Sequence, residues 1–226
     1  MTLIQERAAS FLKEPSDRTP LAVSVEHADI TAQGAGGKAV DAIPFSVFVA
    51  DHQERALKVT ADLMRIANEY ENDPEAALQK VLDRTQEAAA ESSVELAKYA
   101  LMVFITHHPL GRRLPIPPLE EREPQRMKPS ASTAAAGVAA QGALGAEAKL
   151  DFYREDADAN DHHARWHVVY PWGGHPDPAN PSRSVVKDRQ GELFMYMHEQ
   201  MLARYDAERL SATLGKATPL ANFNAP

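Results

Sequence analysis

Residues 160–172 read NDHHARWHVVYPW, with three histidines inside six positions. Neutral imidazole is a good donor to transition metals, and its usefulness depends on which rings can reach one point. On a helix, His163 and His167 stand four residues apart, so their Cβ atoms lie about 5–6 Å from each other on one face. Such a pair can chelate one ion. His162 projects roughly a hundred degrees away and does not join them. A third ring is available on a later helical stretch, where His198 falls among apolar neighbours on the face that should turn inward. The alternative is a set of histidines packed in a core, and spacing alone does not choose between the two.

The chain has 226 residues and no cysteine, so thiolate sites, disulfides and cysteine nucleophiles are excluded and any ion must be held by His, Asp or Glu. With 32 acidic and 24 basic residues the formal charge is −8, which argues against a nucleic-acid partner. The N-terminus carries acidic residues early and no apolar core of a leader. The longest apolar run, residues 99–105, is too short to span a bilayer. The expectation is a soluble, cytoplasmic protein with neither nucleic-acid nor membrane partner.

The elements that must carry the histidines read as mostly α-helical. Ala56, Val59, Leu63, Ile66 and Ala67 recur at helical spacing and predict a helix of about five turns. Asp73-Pro74 opens a second helix. A third runs through residues 92–108 and is stopped by Pro109 and Gly111. Its terminal His107 and His108 are expected near a helix C-terminus, where a partly positive ring is favoured. The one strand signal is FSVFVA, residues 45–50. A proline-rich connection follows, then a low-complexity stretch at 129–147 taken as a linker, then two helices around the histidines.

Two long blocks carry a resemblance. FYREDADANDHHARWHVVYPW and KDRQGELFMYMHEQMLARYDAERLS resemble the first copper site of the arthropod hemocyanin/prophenoloxidase family. Glu155, Asp156, Asn160, His167 and Pro171 match its signature in order and spacing, while Phe152 and Ala157 depart from the usual residues. Upstream, FSVFVADHQ, AKYALMVFITHH and LPIPPLEEREPQRM are similar to the family's N-terminal helical domain, so the likeness covers roughly residues 45–211 outside the linker. It implies an all-α fold: an N-terminal hemocyanin-like helical domain at 1–128 and, at 148–226, a two-helix half of the metal-binding bundle. It also implies that His163, His167 and His198 are metal ligands.

In that family dioxygen lies between two coppers, each on three histidines, and the second trio comes from helices further along. No second H-x-x-x-H stands in these 226 residues. A lone trio with an open position is the donor set of a catalytic zinc, although copper binds imidazoles tightly too. The expectation is therefore zinc, with copper as the alternative. As a short hemocyanin-like chain, this sequence also resembles the fungal cyclopenases of viridicatin-type alkaloid biosynthesis. The function this implies is a lyase that converts a cyclopenin-type benzodiazepinedione to a viridicatin-type quinolone with loss of methyl isocyanate. A copper phenol oxidase or oxygen-binding fragment, completed by a missing or partner segment, is the second hypothesis. A non-catalytic metal-binding remnant is the third.

For an aromatic small-molecule substrate, Phe194, Met201, Leu202 and Tyr205 flank His198 at helical spacing and can wall a pocket, or simply pack a core. In the family a phenylalanine from the N-terminal domain reaches over the copper, and Phe45 or Phe48 either takes that part here or simply belongs to the core. Tyr170 and His162 are the candidates for a proton-transferring group. Glu155, Asp156 and Asn160 either bond the ligand rings or cap their helix. Half a bundle leaves an apolar face, so a homodimer through the 187–211 helix is expected.

Overall fold

The computed structural model describes residues 1–15, 20–21, 43–124, 145–154 and 156–219. The low-complexity stretch up to residue 144 and Glu155 lie outside the described residues. The fold is mostly helical, as the sequence predicts. Its helices are α1 (Leu3–Leu12), α2 (Ala50–Glu69), α3 (Pro74–Glu91), α4 (Val94–His107), α5 (Leu119–Arg122), α6 (Asp151–Arg154), α7 (Ala157–Val169) and α8 (Gln190–Ser211). Short 3-10 turns stand at Gly111–Arg113 and Gly145–Leu150. Among the described residues no helix is long and apolar enough to cross a membrane.

The helix starts follow from local chemistry. Thr2 and Gln5 close a capping box on α1, with the Thr2 hydroxyl accepting from the Gln5 amide and the Gln5 side chain accepting from the Thr2 amide. Asp73 accepts from the Ala76 amide, and Pro74 supplies the preset φ of the first turn of α3. Ser93 caps α4 through the Leu96 amide.

α4 is buried on nearly every side, from Leu96 through Leu101 and again over Val103, Phe104, Ile105 and His107. A helix apolar all round belongs in the centre of a fold. α2 packs on it through Ala56, Thr60, Leu63, Met64 and Ala67, and α3 through Leu78, Val81 and Leu82. α1 closes this core with Ile4, Ala8, Phe11 and Leu12. Gly111 lets the chain double back on the end of α4. A Cβ there would stand 2.5 Å from the Phe104 carbonyl oxygen and 2.8 Å from the Ile105 Cα.

Two departures from the sequence expectation bear on the site. The FSVFVA segment is not a strand. Pairing is limited to β1 (Pro20–Leu21) and β2 (Ile43–Pro44), and α2 begins at Ala50. The segment turns because Ser46 is drawn inward: its amide donates to His52 Nδ1 at 3.3 Å, and its hydroxyl accepts from the Phe48 amide at 3.2 Å. The second departure is an antiparallel hairpin, β3 (His175–Asp177) and β4 (Asn180–Val185). Pro176, Pro178 and Pro181 hide it, since proline ordinarily argues against a strand. It lies against α2, where the Asn68 side chain donates to the Pro178 carbonyl at 2.8 Å.

Candidate metal centre

α7 is set by its own N-cap and by one buried arginine. Asp156 accepts from the Ala159 amide at 2.8 Å, and Asn160 donates to the Arg154 carbonyl at 3.0 Å, so both serve the helix start rather than the ligand rings. Arg122, from α5, is 5% exposed. Its Nε donates to the Pro117 carbonyl, and its guanidinium pairs with Asp161 of α7 at 2.8 Å. At the other end Tyr99 and His107 of α4 donate to the carbonyls of His167 and Val168, each at 3.0 Å.

Held this way, α7 presents His163 and His167 on one face with their Nε2 atoms 2.9 Å apart. α8 brings His198 against them, with ring centroids 5.2 Å from His163 and 5.7 Å from His167. One ring nitrogen from each of the three lies within 4.8 Å of the others. His198 Nδ1 donates to the Phe194 carbonyl at 2.8 Å, which puts that ring's proton on Nδ1 and frees the Nε2 lone pair. Burial, reinforced by the neighbouring rings, lowers the pKa of His163 and pushes that of His167 down to about 4. Both are neutral donors at pH 7, as metal ligation requires. Imidazole nitrogens holding an ion at about 2 Å stand about 3 Å from one another; the His163–His167 pair has that spacing, and with the His198 nitrogen within 4.8 Å of both, one small transition-metal ion can draw on all three.

The aromatic residues divide around this point. Phe48 lies edge-on to the His167 ring at 5.1 Å, and Phe194 lies 4.1 Å from the His198 ring. Phe45 sits deeper, 5.7 Å from the Tyr99 ring, so of the two candidate phenylalanines Phe48 is the one at the trio. A cavity of about 520 Å³ runs between the N-terminal helices and α7, with Phe45, Phe48, Tyr99, Met102, His163 and His167 among its walls. Phe194, Met201, Leu202 and Tyr205 do not line it. Leu202 is 53% exposed, Met201 offers its carbonyl to the Tyr153 hydroxyl, and Tyr205 packs on Tyr153. Tyr170 stacks on Trp166 with Lys187 over its ring. His162 is an exposed neighbour of Trp166.

The expected positive character at the end of α4 is corrected. His107 stacks on His175 at 3.8 Å, and burial pushes its pKa down to about 4. Desolvation there outweighs the helix dipole. Tyr99, His107 and Arg122 make contacts to the ligand-bearing helix that sequence patterning does not flag, because a buried hydroxyl, ring or guanidinium reads as core until its partner is known.

The description "Hemocyanin, copper containing domain" fits residues 79–226, nearly two-thirds of the chain and all of the trio. This chain belongs to the hemocyanin family. The hemocyanin F chain of Aphonopelma sp. is 35% identical over 198 residues, covering 80% of this chain and 29% of that protein. Phenoloxidase subunit 2 of Galleria mellonella is 32% identical over 80% of this chain and 27% of its own length. Hemocyanin II of Limulus polyphemus is 31% identical over 98% of this chain and 36% of its own. The chain thus spans about a third of the length of these relatives.

The expectation of zinc is overturned. The matching family domain is copper-containing, and its relatives are hemocyanins and phenoloxidases. Three imidazoles accept either metal, so the ligand set did not favour zinc. The preference rested on a second trio being missing, and in a chain spanning a third of its relatives that absence carries no weight. The all-imidazole, cysteine-free donor set suits copper, which tops the affinity order of the divalent first-row ions.

Proposed function

We propose that this chain carries one three-histidine copper site of a hemocyanin-type centre and uses it in oxygen chemistry on an aromatic small molecule. The observation that carries this is the convergence of His163, His167 and His198 from two helices that belong to the copper-containing domain. A second trio would come from a segment outside these residues or from a partner chain. Bound copper supplies one-electron redox chemistry toward dioxygen as well as Lewis acidity. The chain's own residues do the rest. His198 is held by the Phe194 carbonyl in the tautomer that presents Nε2. Phe48 shields the His167 edge. The cavity beside α7 takes a flat ring between Phe45, Phe48 and Met102. Metal analysis after copper loading, with absorption in the near ultraviolet recorded with and without oxygen, tests the proposal. About one copper per chain supports it, an oxygen-dependent band would show that a partner chain completes the centre, and failure to retain copper sinks it.

A second reading keeps the same residues and needs no second trio. Among the described residues, this trio is the single group of His, Asp and Glu side chains that could hold an ion. Three imidazoles leave a bound ion an open position, which supports a redox-neutral, cyclopenase-like lyase acting on a cyclopenin-type benzodiazepinedione, with the ion stabilising charge on a substrate oxygen. Formation of a viridicatin-type product at an equal rate under strict anaerobiosis would select this reading over the oxidase. In either case a second copy of the chain is our proposed cover for α8, where Met195, Tyr196, Leu202 and Leu210 are all more than half exposed. A monomeric sedimentation profile at micromolar concentration would remove that proposal.

A further inference from the structure

A helix leaves its last carbonyls without internal partners. In α7 two consecutive ones, those of His167 and Val168, are met by side chains from α4. The Tyr99 hydroxyl donates to the first and His107 Nε2 to the second. Both donors are buried, Tyr99 at 4% and His107 at 7% exposure. The Gln53 amide of α2 donates to the Tyr99 oxygen at 3.4 Å. That contact occupies the phenol as an acceptor and directs its own hydrogen to the His167 carbonyl. Nearer its start, α7 is held by Arg122 on Asp161. Only Val168 of α7 is buried, so apolar packing does little to fix how the helix is rotated.

We propose that Tyr99 and His107 form a two-point clamp that sets the rotation and axial position of α7, and so the shape of the copper site. They are positioning residues. Each acts on the backbone of the ligand helix. The proposal rests on the trio holding copper. Ring nitrogens stand well outside the Cα cylinder of about 2.3 Å radius, so a small rotation of α7 swings the Nε2 atoms of His163 and His167 far from His198. Ligand sets tolerate only about 0.5 Å of such displacement. The core helix α4 therefore imposes its own rigidity on a site whose two helices bury little.

The test is copper affinity by competitive titration, with the paramagnetic resonance spectrum of bound Cu(II), on the full chain and its variants. Tyr99→Phe keeps the ring and removes the donor. It is expected to weaken copper about tenfold and to change the Cu(II) spectrum. His107→Leu is expected to do the same, while His107→Gln, which restores an N–H donor, returns affinity toward the parent. Thr60→Val is the control: its buried hydroxyl bonds the Ala56 and Ala100 carbonyls and no part of α7. It should lower the melting temperature and leave affinity and spectrum alone. Parent-like copper binding in Tyr99→Phe and His107→Leu would overturn the clamp, and so would an equal loss in Thr60→Val. Should Tyr99→Phe fail to fold, the contrast between His107→Leu and His107→Gln decides. A parent chain that binds no copper refutes the metal assignment itself, and that result needs no variant.

Discussion

The guanidinium of Arg122 lies 2.8 Å from the Asp161 carboxylate, with its side chain 6% and its partner's 19% exposed. Asp161 also receives Arg165 of its own helix at 2.8 Å, and Arg122 reaches the Met102 sulfur of α4 at 3.3 Å. One arginine thus joins the central helix, the proline-rich connection and the ligand helix. Arg165 still compensates Asp161 when Arg122 is removed, so the loss is that of the charge-assisted bonds to Asp161 and to the Pro117 carbonyl. Arg122→Met should therefore lower unfolding free energy by about 2 kcal/mol in urea titrations. Asp161→Asn alone should cost more than it does in the Arg122→Met background, because the two residues share one contact.

The ligand assignment predicts a sharp split among the histidines. His167→Ala and His198→Ala should each abolish copper retention, as measured by elemental analysis of dialysed protein. His175→Ala should keep the full copper content even though it loosens packing, because His175 sits against His107 and its Nδ1 bonds the Pro176 carbonyl. Copper lost from the His175 variant alone would move the site elsewhere.

Much of this was legible in the sequence, and the limits have physical causes. α2, α3 and α4 announce themselves because long helices with one or more apolar faces repeat every three to four residues. The pairing of His163 with His167 follows from helical period alone. His198 needed the family likeness, since nothing local says that two helices far apart in sequence will meet. The hairpin at 175–185 escaped because three prolines mask a ladder this short and irregular. The Tyr99, His107 and Arg122 contacts escaped because each joins residues more than thirty positions apart. The choice of metal was not legible because imidazole binds both copper and zinc; the family's copper came from the relatives.

Stability should fall as the medium turns mildly acidic, and His107 should carry an identifiable share of the fall. Its folded pKa is pushed down to about 4 by burial, against an ordinary 6.5. The unfolded chain therefore takes up this proton first as pH drops below 6.5. Stability is full above that value, declines between 6.5 and 4, and levels below 4. For this one group the loss from pH 7 to pH 5 is about 2 kcal/mol. His107→Gln does not titrate and keeps a donor toward Val168. Urea titrations at the two pH values should give a flatter dependence for it by about that amount.

Gly111→Ala tests the return of the chain against α4. The new Cβ would meet backbone atoms at 2.5 and 2.8 Å, and neither can yield as a flexible side chain would. Overpacking of this kind costs about 1–3 kcal/mol. A thermal melt of the metal-free protein should show the loss, and a variant as stable as the parent would mean that the reversal after α4 is looser than described.

α8 buries a single residue, Met197, along its 22 positions, whereas α4 is sunk in the core. An ion gripped by His167 and His198 closes the intervening stretch of chain into a loop and acts as a removable staple across it. The order of this end of the molecule is thereby tied to metal supply. If the trio holds copper, removing the metal should leave the core intact while the site end opens first to proteases.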